Sequence, residues 1–213
     1  PVASCASPNN SYLLHKLDDI IESSDSIVAE KNKRIEIVKQ IAAKESNSER
    51  LLERYSELSN EYYVLKFDSA KVYVEKGLAL AMKTGNQRYT VANTIMKSKL
   101  FAVGGLYSEA INTLNTIAAD SLDRDLMFDY NIAYFTIYSY WADYCNDDTY
   151  FPLYRERAVS YLKKAVEVID KNNEAYDYYM GEYYVYADKD DNKALQHYLK
   201  ALERNDMTSR VYA

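Results

Sequence analysis

The residues best suited to chemistry are Cys5 and Cys145, His15 and His197, the run Asp188, Asp190 and Asn192, and a dense set of tyrosines. A zinc-hydrolase helix needs two histidines four residues apart with a Glu between them, and His15 and His197 each stand alone. A lone helical His reads as a surface or capping residue. Asp188, Asp190 and Asn192 have the alternate spacing that opens a calcium loop. The loop then fails, because its sixth position falls on Lys193 where Gly is needed and its twelfth on Leu199 where a bidentate Glu is needed. The run is read instead as an inter-helix turn that caps the helix carrying Ala194. A nucleophilic Cys145 would need a base, and no His lies near it in the sequence. With Gly at 5 of 213 residues, neither a phosphate-binding loop nor a serine elbow can be found. No catalytic residue, metal site or cofactor is expected, and an enzyme is not the reading.

The tyrosines are different. There are 23 of them against 5 Phe and 1 Trp, so the chain prefers rings whose polar tip can reach water or a partner. Tyr130, Tyr134 and Tyr138 recur every four residues with Trp141 near, and Tyr178 and Tyr186 flank Glu182 at the same spacing. Phe would pack as well, so repeated Tyr implies rings with one wet edge, as at protein interfaces and sugar-binding surfaces. Tyr130, Tyr134, Tyr138, Tyr178, Glu182 and Tyr186 form the candidate ligand- or partner-binding set.

Positioning such a set requires helices. Gly at 5 and Pro at 3 leave too few turn-formers for a many-stranded sheet. Leu13, Leu14, Leu17, Ile20 and Ile21 recur at three and four residues, then Ser23 to Ser26 interrupts and Ile27, Lys31, Ile35, Val38 and Ile41 resume. An opening helix pair over 11–46 follows, with residues 1–10 as loop. Later breaks fall near Phe67, at Gly85, at Gly104 and Gly105, at 121–123, at 145–152, at 171–173 and at 188–192.

The helices resemble one another in pairs. Small residues that let paired helices nest recur in order: Ser59 before Ala70, Ser98 before Ala110, Ala133 before Ala158, and Gly181 before Ala194 and Ala201. This pattern resembles the tetratricopeptide repeat (TPR), which implies an all-α, right-handed superhelix of about ten antiparallel helices. The repeats are expected at 48–85, 86–120, 123–171 and 172–205, one continuous domain from residue 11. Ala70, Ala110, Ala158 and Ala194 stand 40, 48 and 36 residues apart, longer than the usual period of about 34. Lengthened helices and an inserted loop at 145–152 account for the excess. With Ala133 and Gly181 as packing positions, the six candidate residues fall on the inner, concave face.

The sequence also resembles something narrower. Asp68, Ser69 and Ala70 opening a repeat helix, after Ala29, Glu30, Lys31, Arg34 and Ile35, look like the extracytoplasmic N-terminal region of bacterial TPR regulators. That resemblance implies a sensor facing the periplasm, with a membrane helix and a DNA-binding part elsewhere in the protein. A glycan-binding surface lipoprotein built on the same repeats is the alternative. Val2, Ala3, Ser4 and Cys5 read like the end of a lipoprotein signal, which makes 1–10 a disordered signal-peptide remnant and Cys5 a possible lipidation site. Ser209 to Ala213 reads as the start of another helix. The net charge of −6 argues against a nucleic-acid footprint by this segment. A protein or peptide partner is expected, with membrane contact only through flanking segments or Cys5, and the oligomeric state is left open.

Overall fold

Short polar side chains start several of these helices, and left-handed residues end two of them. Asn47 Oδ1 accepts the N–H groups of Glu49 and Arg50, Asn86 accepts from Tyr89, and Asp123 accepts from Leu126. Gly85 at φ 69° closes one helix and Asn146 at φ 41° another. The computed structural model describes residues 8–204; Cys5 and the segment 205–213 lie outside them. The described residues form ten α-helices and no strand: α1 (Pro8–Glu22), α2 (Ser24–Lys44), α3 (Ser48–Tyr63), α4 (Phe67–Thr84), α5 (Gln87–Val103), α6 (Tyr107–Leu114), α7 (Arg124–Cys145), α8 (Tyr150–Val168), α9 (Tyr176–Tyr183) and α10 (Asp191–Arg204). None is long and apolar enough to cross a membrane.

Helices α3 to α10 pair as the repeat pattern requires, α3 with α4, α5 with α6, α7 with α8 and α9 with α10. The first helix of each pair also packs on its neighbours, as in a TPR solenoid. Ala70, Ala110, Ala158, Ala165, Ala194 and Ala201 are all buried, as are Ser59, Ser98 and Ala133. Two glycines mark the closest approaches. A Cβ on Gly181 would stand 2.4 Å from the Tyr198 ring, and one on Gly77 would stand 2.5 Å from Asn93 Oδ1. The largest core runs through α5 to α8, from Ile95 and Leu114 through Ile132 and Ile137 to Leu162 and Ile169.

Five details depart from the sequence reading. Helix α1 begins at Pro8, not at Ser11, because proline's fixed φ and missing N–H suit the first position of a helix. Helix α1 does not fold back on α2; it runs into it through a bend at Ser23, whose φ is −91° and ψ 0°. Ser23 Oγ donates to the carbonyls of Asp19 and Ile20, the back-bonding that bends helices. In the third repeat the extra length sits in 22- and 19-residue helices, and the linker between them is only 146–149. After α9 the chain widens into one π-helical turn over Tyr184–Asp188, ended by Lys189 at φ 54°. His197 is an inter-helix residue, not a surface one. Its Nδ1 stands 2.9 Å from Oδ1 of the buried Asp177 on α9.

Candidate functional site

The first helices of the four repeats turn one face each toward a shared open groove of about 430 Å³. Helix α3 contributes Asn60 and Tyr63, α5 contributes Met96 and Lys99, α7 contributes Asp125, Phe128, Asp129, Thr136 and Tyr140, and α9 contributes Tyr178 and Tyr179. The segment 168–175 between α8 and α9 completes one wall. Arg124 holds that wall, donating from Nε to the Val168 carbonyl at 2.5 Å and lying 3.8 Å from the Asp170 carboxylate.

The tyrosine stripe on α7 is not in this groove. Tyr134 and Tyr138 are 3% and 8% exposed, inside the core between α7 and α8. The Tyr134 ring stacks on Tyr161 at 4.3 Å and meets Tyr130 edge-on at 5.0 Å, and Tyr138 lies parallel to Tyr154 and Tyr161 near 6 Å. The Tyr134 hydroxyl donates to Asn115 Oδ1 at 2.6 Å, so its polar tip has a protein partner. The cause of the misplacement is angular. At 3.6 residues per turn, Asp129, Thr136 and Tyr140 point roughly 120–160° away from Tyr134 around the same helix.

The candidates on the last repeat divide. Tyr178 lines the groove. Glu182, one turn on, accepts the Tyr198 hydroxyl of α10 at 2.6 Å, and burial raises its carboxyl above the usual range against the pull of that bond and of Arg155. Tyr186 covers the guanidinium of Arg155 at 5.0 Å, and the Phe151 ring lies 5.3 Å from the same group. Glu182 therefore ties α9 to α10 and Tyr186 ties the last repeat to α8, and of the six only Tyr178 lines the groove.

What the sequence reading missed is the polar centre of the groove. Lys99 on α5 and Asp129 on α7 feel each other's charge, yet neither makes a direct ion pair with another described residue. Lys99 Nζ lies 5.0 Å over the Tyr63 ring. Burial lowers the Lys99 ammonium and raises the Asp129 carboxyl, each opposed by the other's charge. Asp129 is open to water from one side and walled by protein on the rest, which is the situation of a group on the side of a groove. The ring hydroxyls follow the same rule. Burial and the nearby Glu182, Tyr140 and Tyr186 push Tyr178 up to about 12, and burial raises Tyr63 and Tyr179. Asp125, Asp129, Thr136 and Tyr140 do recur at helical spacing in the sequence, as a polar stripe on an otherwise apolar helix.

Among the described residues no cluster of His, Cys, Asp or Glu could hold a metal ion. Asp190 takes the Lys193 N–H at 3.1 Å, so the calcium-like run caps α10 as expected. The groove offers rings to stack on, hydroxyls to hydrogen-bond and charged groups of both signs. A family model described as "SusR N-terminal TPR domain" matches residues 21–213. No curated protein and no solved structure matches the chain.

Proposed function

The chain belongs to the family of SusR N-terminal TPR domains, and on that premise we propose that it is the sensing part of a membrane-bound regulator, facing the periplasm. Its coarse role is that of a protein-interaction or sensor scaffold, and domains of this kind are generally non-catalytic. The signal is a protein or peptide segment laid along the groove. The observation that carries this reading is the convergence of α3, α5, α7 and α9 on one open groove whose Lys99 and Asp129 are partly desolvated without a direct ion pair. A partner that supplies the missing hydrogen bonds and countercharges would recover that desolvation, which is how polar groove residues give specificity.

One observation favours a second reading. Tyr63, Tyr140, Tyr178 and Tyr179 put four hydroxylated rings on the same groove, a surface on which a glycan could stack. Affinity capture from periplasmic extract, run beside a glycan array, separates the two. Replacing Tyr63, Tyr140 and Tyr178 together by Ala should remove the bound species at least tenfold while far-UV circular dichroism stays unchanged. Retention of binding by that variant would move the site off the groove, and a glycan signal without a protein one would favour the second reading.

A further inference from the structure

The four tyrosines that line the groove leave their hydroxyls unused. Among the described residues, the hydroxyls of Tyr63, Tyr140, Tyr178 and Tyr179 have no hydrogen-bond partner, whereas those of Tyr134 and Tyr198 are held by Asn115 and Glu182. The four come from three helices and converge. Tyr63 and Tyr178 each lie within electrostatic reach of Tyr140, and Tyr179 lies within reach of Tyr63, Tyr178 and Asp129. Beside them Lys99 and Asp129 feel each other's charge without forming an ion pair. The charges around this spot are already committed. Arg124 is taken by the Val168 and Ile169 carbonyls and by Asp170, and Asp125 lies 3.5 Å from Arg88. Asp129 and its neighbours therefore present one carboxylate, one ammonium beyond ion-pair distance of it, and hydroxyls able to donate or accept. The lining as a whole sets four carboxylates, Asp125, Asp129, Asp170 and Glu174, against two cations, Lys99 and Arg124.

Building on the reading that a peptide lies along this groove, we propose that the groove captures the free amino terminus of that peptide, with the α-ammonium on Asp129 and the first carbonyl oxygen on Lys99. The chemistry selects that end of a chain. An α-ammonium brings only donors, and a carboxylate flanked by tyrosine oxygens can accept them all. The acceptor that Lys99 lacks belongs to the same terminal residue. A lysine or arginine side chain would bring a cation with no acceptor beside it. A carboxyl terminus would satisfy Lys99 but add an anion to a lining already rich in carboxylates. Capture of a chain end also leaves the rest of the peptide to run out along the open groove over the tyrosine rings.

The test is isothermal titration calorimetry of the 213-residue chain with tetra-alanine amide, whose amino terminus is free, and with its N-acetylated form. The free-terminus peptide should bind at least about tenfold more tightly, the worth of one hydrogen bond to a charged group. Asp129→Asn should abolish that preference, and Lys99→Met should weaken the free-terminus peptide by about the same factor, both at unchanged far-UV circular dichroism. Should either variant lose helix content, the two peptides on the unaltered chain decide. Equal affinity for both peptides, or a preference that survives Asp129→Asn, would overturn terminal capture while leaving a peptide in the groove. Binding of neither peptide at millimolar concentration, with a glycan bound instead, would overturn the peptide reading as well.

Discussion

At the scale of single residues, the tyrosines divide by what their rings touch. Tyr134 is stacked, edge-packed and hydrogen-bonded inside the α7–α8 core. Tyr134→Ala should therefore cost about 3–5 kcal/mol, and Tyr134→Phe, which keeps the rings and loses the bond to Asn115, only about 1. Urea unfolding of both variants checks this, and an unchanged midpoint for the Ala variant would return Tyr134 to the surface. Asp129 behaves in the opposite sense. Its carboxyl is raised in the fold, so ionising it disfavours the folded state: the penalty is absent below the unfolded pKa and fully present above the folded one. Asp129→Asn should raise the melting temperature by about 2 °C at pH 7, and the gain should vanish as pH falls below about 4. A gain that persists in acid would assign the effect to packing. Four-residue spacing made the Tyr130–Tyr134–Tyr138 face visible in the sequence. What covers that face is Tyr154 and Tyr161, about twenty residues on across a loop, which periodicity along one helix does not encode.

At the scale of elements, the small residues were the readable part. Gly181 was legible as a packing position because only a missing Cβ lets α9 and α10 approach so closely, and the ring it faces is that of Tyr198. That ring cannot swing freely, since its hydroxyl is held by Glu182. Gly181→Ala should therefore destabilise by about 1–3 kcal/mol, and a further Tyr198→Leu should cost less in the Gly181→Ala chain than alone, because there it also relieves the clash. A chemical-denaturation double-mutant cycle measures the coupling, and additive costs would mean the two side chains do not collide. The cap of α10 was equally legible, because Asp190 competes locally for a backbone N–H whatever the tertiary fold. The π turn at Tyr184–Asp188 and the Asp177–His197 contact were not. Both depend on how α10 returns against α9, and nothing in the local composition marks either.

At the scale of the molecule, contacts are made between neighbouring repeats, so stability should vary along the chain and not be shared evenly. The middle holds the largest core, where α7 and α8 pack along their length with the aromatic stack between them. At the N-terminal end α1 keeps its helical hydrogen bonds but has almost no tertiary contact to protect them, and a single 15-residue helix is marginal in water. Native-state hydrogen exchange at low micromolar concentration should therefore grade the amides. Those of α7 and α8 should open only by global unfolding, those of α9 and α10 more readily, and those of α1 within one to two kcal/mol of the free helix–coil balance. Exchange in α1 as slow as that in α7 would mean that α1 is covered by packing within one chain, and an even rate along the whole chain would mean that the solenoid opens as one cooperative unit without a repeat-by-repeat gradient.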